Sequence, residues 1–114
     1  ELSEERRGET SEEIRKRIIA CRALQANRFE SHKGVYYNAQ MGVKNIRTYC
    51  ELDESSKALL KDAMERLNLS ARAYDRILKV ARTIADLEEQ PHIQGHHIAE
   101  AIQYRSLDRE GWLG

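Results

Sequence analysis

Apolar residues recur at helical spacing along most of this chain. In the segment "LSARAYDRILKVARTIADLEEQ", from Leu69 to Gln90, they fall three and four residues apart. This spacing places them on one face of a helix. Period-two runs of β-branched residues are absent from the sequence, so the pattern predicts an all-α fold. The expected buried face of this helix comprises Tyr74, Ile77, Leu78, Ala81, Ile84 and Ala85.

Local capping signals set the expected bounds of the other helices. Thr10 and Glu13 have the spacing of a capping box, so the first helix is expected to start there and to continue to about Phe29. Asp53 is the expected cap of a helix in "ESSKALLKDAMERLNL", and Pro91 ends the helix quoted above because proline cannot continue its hydrogen-bond ladder. With a short helix in "VKNIRTYC" and a last one near "GHHIAEAIQYR", the sequence predicts about five helices in a single compact domain.

The same periodicity predicts the core. Each helix is expected to bury one apolar face, whereas residues 31–42 follow no period, contain two glycines and are expected to form a loop. The expected inward positions in the other helices are Ile14, Ile18, Cys21 and Leu24 or Gln25 in the first, Val43, Ile46 and Cys50 in the second, Leu59, Leu60, Ala63, Met64 and Leu67 in the third, and Ile98, Ala101, Ile102 and Tyr104 or Arg105 in the fifth.

Composition restricts the possible functions. The 114 residues carry 19 basic and 19 acidic side chains, and a net charge of zero argues against a free-standing nucleic-acid-binding domain. No apolar run approaches the roughly 20 residues that span a bilayer. The two isolated cysteines, Cys21 and Cys50, indicate reduced thiols in a cytoplasmic protein. Because the chain starts without a methionine, we expect it to be a fragment of a longer protein.

Arg72 is the least expected polar residue in this pattern. Ser70 is the expected N-cap of the fourth helix, so Arg72 lies in the first turn, where a cation opposes the helix dipole. A fixed cation there costs a few tenths to about 1 kcal/mol unless an anion offsets it. The unpaired N–H groups of the first turn and the guanidinium would together suit a phosphate or a carboxylate. An ordinary solvated arginine is the other interpretation.

The fourth helix also carries a basic stripe opposite its apolar face. One interpretation is a solvated face on which Asp75 and Asp86 pair with cations four residues away. The other is a small helical DNA-binding module, whose affinity would depend strongly on salt. The stripe comprises Arg72, Arg76 and Lys79 in line, with Arg82 slightly off the line.

Three histidines suggest a metal site, but their spacing argues against it. Helical metal ligands usually occupy positions i and i+4 with a third ligand nearby, whereas Pro91 and Gly95 interrupt this segment. His96 and His97 are adjacent and are expected to point in different directions, and the third histidine is His92. We therefore predict no metal site. The sequence also contains no Gly-rich phosphate loop, so we expect no bound cofactor and no catalysis from this chain in isolation.

Several segments resemble the C-terminal part of the magnesium-chelatase-like AAA+ ATPases of the bacterial YifB or ComM type. The strongest are "LSARAYDRILKVARTIADLE" and "HIAEAIQYR". Upstream, "GETSEEIRKRI", the loop "YNAQM" and "LDESSKALLKDAMERLNLSARAYDRILKVARTIADL" extend the resemblance from about Gly8 to Arg105. The long central match is specific, whereas "GETSEEIR" or "EAIQYR" alone would be weak.

The resemblance implies that residues 9–105 form the helical lid of an AAA+ module, with a linker from an ATPase core at residues 1–8 and a short tail at residues 106–114. The core would carry the phosphate-binding loop, the acidic metal-binding motif and the arginine finger. Lids of this kind contain a second-sensor arginine that reaches toward ATP. The motif "SAR" gives this catalytic role to Arg72, with Arg76 as a second candidate for binding ATP.

For the whole protein, the resemblance implies ATP and Mg²⁺ as cofactors and a cytoplasmic homo-oligomeric ring, expected to be a hexamer, without a membrane partner. The lid would couple nucleotide state to ring motion, in DNA branch migration or processing during natural transformation. The lid of a true magnesium chelatase, which inserts magnesium into a porphyrin, is an alternative. A third, weaker interpretation is a protein-interaction domain that uses the loop around Tyr36 and Tyr37. The sequence leaves open whether Arg72 acts within its own subunit or on a neighbour.

Overall fold

Helices account for the regular structure of the chain. The computed structural model describes residues 10–109, and side chains through residue 104. Within residues 10–109 there is no β-strand, only a single parallel bridge between Leu52 and Ile93 that joins two linkers. The prediction of an all-α fold is therefore confirmed, and the described residues form five α-helices. The helices are α1 Ser11–Arg28, α2 Val43–Tyr49, α3 Glu54–Leu67, α4 Ala71–Leu87 and α5 Gly95–Arg109, with a 3₁₀ turn at Asn38–Gln40.

Three of these helices start at the predicted caps. The Thr10 hydroxyl accepts a hydrogen bond from the backbone N–H of Glu13 at 3.1 Å, and the Glu13 carboxylate accepts one from the Thr10 N–H at 2.8 Å. Asp53 caps α3 and Ser70 caps α4 by accepting an N–H of the first turn. Each cap satisfies a backbone donor that the helix itself leaves without an acceptor.

Helix α4 is the centre of the domain. It packs on α5, α1, α2 and the 3₁₀ turn, while α3 packs on α5. As predicted, Ile77, Leu78, Ala81 and Ala85 are buried, whereas Tyr74 at the edge of this face is 36% exposed. The other core residues are Phe29, Met41, Ile46, Cys50, Leu52, Leu60, Ile93, Ile98 and Ala101.

Helix α1 buries only part of its predicted face. Cys21 and Gln25 are buried, but Ile14 and Ile18 are 40% and 41% exposed, so their assignment to the core was wrong. The helical period is correct, and the difference arises because both buried residues lie in the second half of α1. The first half extends beyond the helices that would cover it.

Three other predicted core positions were wrong for a similar reason. Val43 is 62% exposed, because the seven-residue helix α2 turns only Ile46 and the following Cys50 inward. Leu59 and Leu67 are 37% and 36% exposed, because α3 packs chiefly on α5 and buries only the middle of its apolar stripe. At the other end of the chain, α5 continues to Arg109, four residues past the predicted end of the lid at Arg105.

Candidate functional site

The N-terminus of α4 presents an unpaired arginine to solvent. Ser70 caps the helix through the Ala73 N–H at 3.2 Å, and the first turn contains no acidic residue. The Arg72 side chain is exposed and makes no hydrogen bond or ion pair with any residue that the structure describes. The first N–H groups of the helix also lack intrahelical acceptors. Guanidinium groups and unpaired N–H groups at a helix N-terminus are the kinds of group that bind oxyanions in proteins.

The basic stripe continues from Arg72 toward the 3₁₀ turn. Arg76 is exposed one turn farther along α4, on the same side as Arg72. Lys79 is half-buried, and its Nζ donates a hydrogen bond to the Ala39 carbonyl at 3.1 Å. Lys79 therefore attaches the loop to α4, and the two arginines are the exposed cations nearest the helix N-terminus.

Arg82 lies inside the domain and does not belong to this surface. Its side chain is 6% exposed, and its Nε donates to Asp86 Oδ1 at 3.2 Å. Its Nη2 donates to the Gln90 carbonyl at 2.8 Å, and its Nη1 to the Pro91 carbonyl at 3.1 Å. Burial lowers the pKa of Arg82, while the charge of Asp86 opposes that shift. Arg82 cannot reach a phosphate, so its place in a DNA-binding stripe was wrong.

Asp86 joins three segments of the chain. Its carboxylate is fully buried and accepts two hydrogen bonds from Arg28, Nη1 to Oδ2 at 2.8 Å and Nη2 to Oδ1 at 2.7 Å. It also accepts a bond from Asn38 Nδ2 at 2.8 Å. Burial lowers the pKa of Arg28, but the hydrogen bonds to Asp86 outweigh it and raise that pKa overall. With Arg82, the carboxylate therefore holds α1, the loop and α4 together.

The loop motif "YNAQM" is held by its asparagine. Asn38 is buried, and its backbone N–H donates to Gln25 Oε1 at 2.9 Å. Its Oδ1 accepts from Arg28 Nη1 at 2.8 Å, and its Nδ2 also donates to Thr83 Oγ1 at 2.9 Å. A side chain that satisfies every polar group in this way has a structural role.

The histidines at the junction of α4 and α5 meet on one carboxylate. His96 Nε2 and His97 Nε2 lie 3.0 Å and 2.8 Å from Glu88 Oε1, and the two rings are 4.0 Å apart. The prediction that they point in different directions was therefore wrong. One potential ligand atom from each of the three residues lies within 4.8 Å of the others, close enough to surround a metal ion.

A second hydrogen bond of His97 argues against a metal at this position. The buried His97 accepts the backbone N–H of Gln94 on Nδ1 at 2.9 Å. In the neutral ring the hydrogen is then on Nε2, which donates to Glu88 and has no lone pair for a metal. To bind a metal through Nε2, His97 would have to carry its hydrogen on Nδ1, and it would then lose the hydrogen bond from the Gln94 N–H. The absence of a metal stays a prediction, now with this reason.

Comparison with known proteins relates nearly the whole chain to one family. Residues 8–105 match the family described as magnesium chelatase, subunit ChlI C-terminal. The chain belongs to this family. The matched residues coincide with the range, Gly8 to Arg105, over which the motifs carry the resemblance.

Curated relatives of this magnesium chelatase C-terminal domain are much longer proteins. The competence protein ComM of Haemophilus influenzae is 41% identical over 103 residues, which is 90% of this chain and 19% of that protein. The uncharacterized YifB proteins of Salmonella typhimurium and Escherichia coli are 40% and 37% identical, with the same shares covered. The chain thus spans about a fifth of the length of these relatives.

The two cysteines of this magnesium chelatase C-terminal domain are buried in its core. Burial raises the pKa of both thiols, that of Cys50 to about 11, so neither is a reactive thiolate at neutral pH. In the structure both thiols are free. Among residues 10–109, no helix has both the length and the apolar character needed to cross a bilayer.

Proposed function

We propose that this magnesium chelatase C-terminal domain is the helical lid of an AAA+ ATPase and that Arg72 is its second-sensor arginine. The proposal depends on one observation: Arg72 is exposed and unpaired among the described residues, at a helix N-terminus without an acidic residue. A phosphate oxygen would supply the missing negative charge. A guanidinium can bind two such oxygens at once.

In this proposal the domain binds and positions nucleotide and breaks no bond itself. Arg72 stabilises the charge that spreads over the γ-phosphoryl oxygens during transfer. Arg76, one turn along the same helix face, is the second phosphate contact. The residues that hold Mg²⁺ and activate water belong to the ATPase core of the longer protein, because this chain has no phosphate-binding loop.

The position of Arg72 on α4 supports a role in coupling. Helix α4 packs on α1, α2 and α5, and the buried Asp86 network fixes α1 and the loop to it. A phosphate that pulls on Arg72 therefore moves these elements as one body. Loss of the γ-phosphate on hydrolysis would release the contact and let the lid rotate against the core.

For the full-length protein we propose a cytoplasmic homo-hexameric ring that uses ATP and Mg²⁺ to process DNA. The support is 41% identity to a relative named a competence protein. The alternative, the ATPase subunit of a magnesium chelatase acting on a porphyrin, is supported by the description of the family itself. Stimulation of ATP turnover by branched DNA, and not by a porphyrin, would favour the first function.

The test is Arg72→Ala in the full-length protein. Loss of one charge-assisted hydrogen bond is worth about 1.5–3 kcal/mol, so ATP turnover should fall roughly 10- to 100-fold. The matched control is Arg47→Ala, which removes an exposed cation from α2 and should leave turnover unchanged. In the 114-residue chain, Arg72→Ala should preserve or slightly raise stability, because it removes a cation from a helix N-terminus. Unchanged turnover would refute the assigned role.

Binding measurements on the 114-residue chain separate the lid from the DNA-binding module. A lid alone should have negligible affinity for ATP and no salt-dependent affinity for duplex DNA. Titration with DNA at low and at moderate salt tests this directly. Tight binding that weakens steeply with salt and is lost in Arg72→Ala would favour the DNA-binding module instead.

A further inference from the structure

The first half of α1 exposes the apolar side chains Ile14, Ile18 and Ile19, here called the α1 overhang. Ile14 and Ile18 lie on the same face as the buried Cys21, about two turns and one turn before it. They are nevertheless 40% and 41% exposed, and Ile19, on another side of the helix, is 59% exposed. The face of α1 that packs onto the domain at Cys21 is therefore exposed to solvent in the first half of the helix.

The charges around the overhang restrict its partner. Glu12 and Glu13 precede the overhang at the start of α1, and from Ile14 to Cys21 the charged residues are all basic: Arg15, Lys16 and Arg17. An apolar strip bordered by cations is complementary to an apolar surface bordered by carboxylates. The overhang is thus suited to a protein surface of that kind.

The size of the overhang favours a partner in the same polypeptide. A stable complex of separate molecules buries about 800 Å² on each partner, from roughly 20–30 residues a side. Three isoleucines, none more than 59% exposed, are far short of that. A domain joined by a linker is held at an effective concentration of about a millimolar, so a small contact suffices.

The length of the relatives leaves room for a partner domain that precedes this domain in the same polypeptide. This chain matches 19% of their length, and because the family is described as C-terminal we take most of their remaining sequence to precede the matched part. Helix α1 is the first helix among the residues that the structure describes. We infer that the α1 overhang is the docking surface for the ATPase part of the longer protein. This inference rests on the proposed function, which supplies that part.

An introduced cysteine tests the inference. In Ile14→Cys, the new thiol is exposed, while Cys21 and Cys50 are buried and give a low background. The control is Val43→Cys on α2, at a position that is 62% exposed and far from the overhang in sequence. In the 114-residue chain, iodoacetamide should alkylate both probes at similar rates. In the full-length protein, alkylation at position 14 should slow at least tenfold and alkylation at position 43 should not change, as measured by peptide mass spectrometry.

Three results would overturn the inference. Equal alkylation at positions 14 and 43 in the full-length protein would mean that nothing covers the overhang. Protection of position 14 in the 114-residue chain, together with a dimer in sedimentation, would make a second copy the partner. Protection by vesicles of anionic phospholipid would make it a membrane surface. Hydrogen exchange of residues 12–19 in the unsubstituted proteins gives the same comparison without any substitution.

The outcome is independent of the test of Arg72. If Arg72→Ala lowers ATP turnover but position 14 stays reactive, the docking surface is wrong and the lid function stands. If position 14 is protected but turnover is unaffected by Arg72→Ala, the docking surface stands and the sensor role is wrong.

Discussion

The single carboxylate of Asp86 pairs with two guanidinium groups inside the domain. Its side chain is fully buried, while those of Arg28 and Arg82 are 11% and 6% exposed. Replacing a whole buried ion network by apolar residues can be harmless, but removing one member leaves buried charge without compensation. In this network the loss would affect two arginines and the amide of Asn38 together.

Asp86→Ala is therefore expected to lower the free energy of unfolding by about 3–5 kcal/mol, the usual effect of breaking a buried pair. The control is Asp62→Ala, since Asp62 accepts from Arg66 four residues away at 2.9 Å but is 61% exposed. Exposed pairs contribute about 1 kcal/mol or less, so this variant should stay close to the wild type. Urea denaturation followed by circular dichroism compares them. Similar losses in both variants would mean that burial does not decide the effect.

At the scale of single residues, the sequence predicts local pairs better than distant ones. The spacing of four residues makes Asp86 a partner for Arg82, and the structure contains that contact. Arg28 and Asp86 are 58 residues apart, and only the packing of α1 on α4 brings them together. The missing negative charge near Arg72 was visible in the sequence because a helix cap and a dipole are local features.

At the scale of elements, the junction of α4 and α5 depends on one carboxylate at the end of a helix. Glu88 follows α4 and accepts hydrogen bonds from His96 and His97 in the first turn of α5. His97 in turn accepts the Gln94 N–H and so caps α5. The ionised carboxylate thus links the end of one helix to the start of the next.

This junction should weaken in acid. The hydrogen bonds from His96 and His97 lower the pKa of Glu88 below its ordinary value of 4.5. A lowered pKa in the folded state means that its contribution to stability is present above pH 4.5 and is lost as the pH falls through the lowered value. The contribution is modest, because the Glu88 side chain is 42% exposed.

As the pH falls below 4.5, the urea concentration at the midpoint of unfolding should therefore decrease less in Glu88→Gln than in the wild type. The control is Glu100→Gln, which removes an exposed carboxylate of α5 that makes no hydrogen bond or ion pair with any described residue. Midpoints measured between pH 6 and pH 3 test this. An unchanged pH dependence in Glu88→Gln would show that the junction does not depend on the charge of Glu88.

Helix boundaries were predictable because caps and breakers act over a few residues, as Thr10, Ser70 and Pro91 illustrate. The exposure of Ile14 and Ile18 was not, because the period of a helix shows which residues share a face and not what covers that face. The meeting of His96 and His97 was missed for another reason. Their approach to Glu88 is set by the turn between α4 and α5, which no helical period describes.

At the scale of the whole molecule, stability should be distributed unevenly around α4. This helix is enclosed by α1, α2 and α5, and its residues Ala81 and Ala85 are completely buried. In the first half of α1, a capping box fixes the start of the helix and the three isoleucines are all exposed. Segments with few buried apolar contacts open locally, whereas those at the centre open only when the domain unfolds.

Amide hydrogen exchange of the 114-residue chain should show this gradient. Amides of residues 77–85 in α4 should exchange only through global unfolding, and their exchange should slow or quicken with any change in overall stability. Amides of residues 14–19 in α1 should exchange faster, through fraying that denaturant barely affects. Equal protection of both segments would mean that the first half of α1 is as firmly packed as the core, contrary to the exposure of its isoleucines. A gradient of the predicted kind would separate a rigid part, which carries Arg72 and moves as a body, from a helix end whose stability depends on what docks against it.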